Sequence, residues 1–190
     1  MKPAALFLLF ALPVLAADPA IDVFFERFAT EWVRADPERA TTLRFFPPDE
    51  HARLDAQLSD ASDEGERARF TQARKGLAEL KRFDRSKLSP EQRTSADVLE
   101  WYLLDVINEE PFLLYRYPLN QFRGVQTRIA TLLTDIHPVR SARDAENYLS
   151  RLGQFGSRID QAVAAARARE LKGVLPPAFI LNATIIQMQR

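Results

Sequence analysis

Apolar residues recur at three- and four-residue steps through most of the chain, the spacing of amphipathic helices with one buried stripe each. Asp18-Pro19 supplies an N-cap acceptor and a proline at the first helical position, and Ile21, Phe24, Phe25, Phe28 and Trp32 then form one stripe. Asp36-Pro37 repeats the signal for a short helix to about Leu43, and Phe45 to Pro48 breaks the pattern. A third segment from Pro48 to Leu58 sets Leu54 and Leu58 one turn apart, and Ser59 to Glu64 forms a polar hinge. The next helix runs to Arg82 with Phe70, Ala73, Leu77 and Leu80 on one side. Ser89, Pro90 and Gln92 spell a capping box for a helix bearing Val98, Leu99, Tyr102, Leu103, Val106 and Ile107.

Beyond Pro111 the pattern changes. Phe112 to Tyr117 is an apolar and aromatic run, a buried strand or an extended connector; the lack of a second strand to pair with it favours the connector. Val125, Ile129, Leu132, Leu133 and Ile136 make a further stripe, closed by His137-Pro138. Ser141 with Asp144 opens the longest predicted helix, whose face is Ala145, Tyr148, Leu149, Leu152, Phe155, Ile159 and Val163, with a kink or close contact allowed at Gly153 and Gly156. Gly173 suits the position after a helix end, and a last helix starts at Pro177 and carries Phe179, Ile180, Ala183 and Ile186. That stripe stays apolar through Met188, which suggests a fragment or an incomplete reading frame rather than a polar natural terminus. The expected class is all-α, an array of amphipathic helices.

Residues 1–17 combine one lysine, an apolar run from Ala4 to Leu15 and a small-residue end, the pattern of a secretory signal peptide cut after Ala16 or Ala17. The run is too short for a membrane-spanning helix, which needs about 20 residues. The protein is thus expected in the periplasm or secreted, with no membrane contact beyond the leader. Residues 18–190 are expected to be one helical domain, the N-terminal part of a larger one.

Composition narrows the partners. Twenty-six basic residues balance 26 acidic ones, so nothing in the net charge favours nucleic acid or an anionic membrane. The arginines Arg140, Arg143, Arg151, Arg158, Arg167 and Arg169 alternate with alanines and acids and read as a solvated helix face. With no cysteine, stability must come from core burial, which 13 phenylalanines and two tryptophans can supply.

No residue set in this chain runs a reaction unaided, so no catalytic residue and no metal ligand is assigned. His51 and Asp55 lie one turn apart, the spacing of a weak metal pair or of a solvent-exposed pair. His137 ends a helix, where its cation would suit the dipole. There is no nucleophile elbow and no phosphate loop. The ligand-contact candidates are Asn120, Gln121, Arg123 and Tyr115: amide and guanidinium donors among aromatics suit a peptide backbone or a carboxylate. Equally, Asn120 and Gln121 can serve backbone groups of a turn.

Several of these motifs also occur in a characteristic order: Pro118 to Phe122 (Pro-Leu-Asn-Gln-Phe) with Gly124, His137-Pro138, the helix Asn147 to Leu152, and Gly173 to Pro177, with weaker echoes at Phe24–Trp32, Asp36–Glu38 and Leu88–Gln92. In this order they resemble the N-terminal part of the bacterial family called domain of unknown function 885, whose members look like helical, zincin-type metallopeptidases. The resemblance implies zinc in the whole protein, bound by a His-Glu-x-x-His-type motif beyond these residues. It further implies a peptide substrate and a C-terminal part of the same polypeptide as partner, with this chain alone inactive and holding no cofactor. The alternative is a self-contained periplasmic helical binding or scaffold module without catalysis.

Overall fold

The computed structural model describes residues 18–189. The expected leader at 1–17 lies outside them. Nine α-helices and no strand occur among the described residues: α1 (Pro19–Arg34), α2 (Pro37–Leu43), α3 (Pro48–Leu54), α4 (Asp63–Leu80), α5 (Pro90–Asn108), α6 (Val125–Thr131), α7 (Ala142–Gly153), α8 (Phe155–Glu170) and α9 (Ala178–Met188). None of them is long and apolar enough to cross a membrane.

The N-terminal helices follow from their starts and stripes. Asp18 accepts from Ala20 N at 2.9 Å, and Ser89 and Gln92 close the capping box of α5. Gln92 also binds the start of α1: its Oε1 accepts from Asp18 N at 3.0 Å, and its Nε2 donates to Asp22 at 2.8 Å. One buried amide thereby ties two helix N-termini together. Below it, Ile21, Phe24, Phe28 and Trp32 of α1 pack on Ala73 and Leu80 of α4 and on Ala96 and Leu103 of α5. Gly76 lets α4 approach closely, because any Cβ there would run into the Phe28 ring. A second small core joins Val33, Ala40, Phe46 and Leu54, and a third joins Val125, Ile129 and Ala162.

The C-terminal helices depart from expectation. Residues Glu110–Tyr115 form a 3₁₀ helix rather than a strand or an extended connector. Pro111 occupies a first-turn position, where its missing N–H is not needed, and Arg169 of α8 donates to Leu113 O at 3.0 Å and to Arg116 O at 2.9 Å. Those two bonds satisfy carbonyls that a strand partner would otherwise take. After α6, Leu132–Ile136 is a π-helical turn closed by His137 N on Leu132 O at 2.8 Å. The long helix expected from Ser141 breaks at Gln154 into α7 and α8. Its expected apolar face is largely outside, with Leu149 64% and Leu152 47% exposed, while Arg151 is 0% and Arg158 and Arg169 are each 4% exposed.

Arg151, Arg158 and Arg169 are therefore a docking face and not a solvated one, whereas Arg140, Arg143 and Arg167 are exposed as expected. Arg151 is the hub. It donates to Gln57 O (2.9 Å), Leu54 O (3.2 Å), Thr41 Oγ1 (2.6 Å) and His137 Nδ1 (2.9 Å), and lies 3.9 Å from the Asp55 carboxylate. Around it, Asn147 donates to Ala52 O, while Ser150 and Gln154 donate to Ala56 O. Most of these acceptors are carbonyls at and just beyond the C-terminal end of α3, which have no partner within that helix. Side chains of α7 supply the missing cap. Asp55, held by Thr41 and Arg44, keeps the hub's charge compensated. Burial still pulls the Arg151 guanidinium below the usual arginine range, with Asp55 and Glu38 opposing that shift.

Two outcomes follow. Arg151→Ala removes the donor to Gln57 O and one of the two cations facing the buried Asp55, and urea denaturation is expected to show a loss of about 3–5 kcal/mol. Gly76→Ala, which raises helix propensity, is expected instead to lower stability by about 1–3 kcal/mol, because the Phe28 ring must move.

Candidate functional site

The seam between α2, α6 and α8 is polar. Glu38, buried near the start of α2, accepts from Ser59 N (3.2 Å), Arg158 Nη2 (3.3 Å) and Arg128 Nη2 (3.2 Å). Its own backbone N–H donates to Ser59 Oγ at 3.1 Å, and the Ser59 hydroxyl donates in turn to Asp36. Asp36 is also the N-cap of α2. The proline-led start of α2 thus places one carboxylate between two guanidiniums from distant parts of the chain.

Two cavities open along this seam. The inner one, of about 270 Å³, is lined by Trp32, Asp36, Arg39, Arg69, Tyr102 and Arg158 among others. The outer one, of about 770 Å³, is lined by Leu113, Tyr117, Asn120, Phe122, Arg123 and Arg169 among others. Arg116 and Arg128 line both. Arg116 is committed to Glu66, at 3.0 Å, and to Glu109. Arg169 grips Asp63 with two nitrogens, at 2.9 and 3.3 Å. Arg69 lies 3.2 Å over the Trp32 ring and donates to Trp32 O at 2.6 Å. Burial lowers the affinity of both Arg69 and Arg158 for their protons relative to a free arginine; Tyr102 and Glu38 respectively oppose the shift. Both remain cations at neutral pH.

The sequence-selected residues divide. Asn120 and Arg123 line the outer cavity, with Tyr117 and Phe122 beside them. Asn120 is fully engaged in its own turn: Oδ1 accepts from Phe122 N (3.0 Å) and Arg123 N (2.8 Å), and Nδ2 donates to Tyr117 O (2.9 Å). Its carbonyl accepts from Gly124 N and from Gln126 Nε2. Gly124 is required there, because a Cβ would strike the Asn120 backbone. The turn presents the exposed Arg123 side chain, which makes no ion pair among the described residues. Gln121 has a buried Oε1 without a hydrogen-bond partner, and its carbonyl accepts from Gln187 Nε2 at 3.3 Å. Tyr115 ends the 3₁₀ helix, 62% exposed, and lines neither cavity.

Glu38, Arg69, Arg128 and Arg158 were not selected from sequence. A signal did exist for Arg158: Arg151, Arg158 and Arg169 are separated by seven and then eleven residues, both near-integral numbers of helical turns, so they share a face with Ala162 and Ala165.

Neither histidine behaves as expected. His51 and Asp55 are both buried, not solvent-exposed, and they face different partners. His51 Nε2 accepts from Phe46 N at 3.0 Å, whereas Asp55 serves Thr41 and Arg44. His137 does not act as a helix-end cation. Arginine can only donate, so Nδ1 accepts from Arg151, and Nε2 carries the hydrogen given to Asp144 O at 3.0 Å. Among the described residues, no three His, Cys, Asp or Glu side chains converge as a metal site. These residues therefore do not fit zinc. The two cavities are lined by arginines, by the carboxylates that pair with several of them, and by aromatic rings.

Comparison with known proteins places this geometry in one family. The sequence profile described as "bacterial protein of unknown function (DUF885)" matches residues 37–190, which include Glu38, Arg128 and Arg158 but not Trp32 or Asp36. No curated protein and no solved structure matches the chain.

The engagement of Asn120 has a measurable result. Asn120→Ala removes three side-chain bonds of the turn and is expected to cost about 1–3 kcal/mol in denaturant unfolding. Arg123→Ala, at an exposed and unpaired position, is expected to change stability by no more than about 0.5 kcal/mol.

Proposed function

The chain belongs to this DUF885 family, and from that premise we propose that it is the N-terminal helical region of an exported, metallopeptidase-like hydrolase acting on peptides. Its part in that activity is binding. The observation that carries the reading is the outer cavity, where a fixed turn offers the unpaired Arg123 guanidinium between Tyr117 and Phe122. Such a surface suits a peptide, whose carboxylates accept bidentate hydrogen bonds and whose side chains pack on rings. Zinc, in this reading, is held by residues outside those described, and no chemical step is assigned to the side chains here.

A further part of the same polypeptide is the proposed structural partner. Large apolar side chains stand exposed on α9, including Phe179 at 69%, Ile185 at 53% and Ile186 at 52%. Exposed apolar surface of this kind marks a contact surface more often than a solvated one. Export follows from the leader pattern at residues 1–17, and the purified periplasmic product is expected to begin after Ala16 or Ala17.

The test uses the product of the whole gene. Peptide hydrolysis that is lost on chelation and restored by zinc is expected. Arg123→Ala is expected to raise KM about tenfold with little change in kcat, as removal of one charged hydrogen bond does when ground and transition states share it. Residues 18–190 alone are expected to hold no stoichiometric zinc and to cleave nothing. An inactive, metal-free product of the whole gene would overturn the hydrolase reading, and peptide binding without turnover would replace it with a helical binding module.

A further inference from the structure

The inner cavity has an imbalance that the hydrolase reading does not use. Two of its lining side chains bring buried N–H groups with no acceptor: Trp32 Nε1, and Nε and Nη1 of Arg158. Trp32 is 6% and Arg158 4% exposed. Leaving such donors unmatched is costly, and more so when the donor is charged. The carboxylates nearby are already in use. Glu66 and Glu109 hold Arg116, Asp36 accepts from Arg39 N and the Ser59 hydroxyl, Glu38 is shared by Arg128 and Arg158, and the exposed Asp60 at the cavity's edge accepts from Ser62 N. No side-chain oxygen lining this cavity is left buried without a donor. Among the buried atoms of this lining, donors alone lack partners.

We propose that the inner cavity is an oxyanion site, in which a carboxylate or phosphate group accepts from Arg158 and from the indole N–H of Trp32. Arg69 stacks on the Trp32 ring and adds a second, half-buried cation to the lining. A volume of about 270 Å³ holds a small oxyanion or the end of a longer molecule, and the shared Arg116 and Arg128 connect it to the outer cavity. The site needs no metal and no hydrolysis, so it stands or falls apart from the function proposed above. Burial holds the Arg158 guanidinium below the ordinary arginine range, a deficit that a bound anion would offset.

The two tryptophans make the test specific. Trp101 is 68% exposed and serves as an internal control for Trp32. In protein labelled with nitrogen-15, titration with acetate or inorganic phosphate is expected to shift the Trp32 indole N–H and the Arg158 Nε–H saturably, leaving Trp101 unmoved. Trp32→Phe keeps an aromatic ring while removing the indole N–H, and is expected to weaken binding about tenfold. Arg158→Lys is expected to weaken it at least as much. Tighter saturation by phosphate than by acetate identifies a phosphate ligand. Tighter binding of a short peptide with a free C-terminus than of its amidated form identifies a carboxylate. Shifts that fail to saturate, that move Trp101 equally, or that persist unchanged in Trp32→Phe would show a water-filled cavity and overturn the proposal.

Discussion

Three arginines that must not reach water organise the C-terminal half of this molecule. A guanidinium carries five donors and no acceptor, so burying one is tolerable only where several oxygens converge. Arg151 finds them at the frayed end of α3, Arg158 at Glu38, and Arg169 at Asp63 and the 3₁₀ segment. Each therefore demands a particular neighbour in a particular register. Apolar stripes would allow helices to slide by a turn with modest loss, whereas a displaced guanidinium leaves both itself and its carbonyls unmatched. Position along α7 and α8 is set by this matching more than by shape.

The same arrangement explains why the face with the obvious hydrophobic periodicity is not the buried one. Leu149, Leu152 and Phe155 mark an apolar stripe by sequence, yet Asn147, Arg151 and Arg158 point inward. The stripe is then surface, as are several apolar residues of α9. In α1 and α4, and in α5 apart from Val98 at 60% exposed, stripes and cores by contrast coincide, because little polar demand competes with burial of phenylalanine and leucine.

Legibility in the sequence follows that division. The helix starts at Asp18, Asp36, Ser89 and Ser141 act through bonds spanning two or three residues and could be read directly. The break at Gln154 falls between Gly153 and Gly156, where the sequence allowed a kink, whereas the π-helical turn had no such local signal. Of the site, the turn at Asn120 was readable because its hydrogen bonds are local. The pairing of Glu38 with Arg128 and Arg158 spans 90 and 120 residues and had no local signal. The helical phase shared by Arg151, Arg158 and Arg169 was visible, but alanines and acids between them made the face look wet.

The π-helical turn at Leu132–Ile136 carries one residue more than an α-helical turn needs, and that surplus aims His137 at Arg151. Each residue of an α-helix advances the chain by about 100° of rotation. Losing a single position here would heal the helix into regular form and swing the imidazole to another quadrant, stranding the guanidinium beneath it. The segment should therefore accept many changes of residue type but almost no change of length, so that a gap in this stretch would mark a family member whose interior is wired differently.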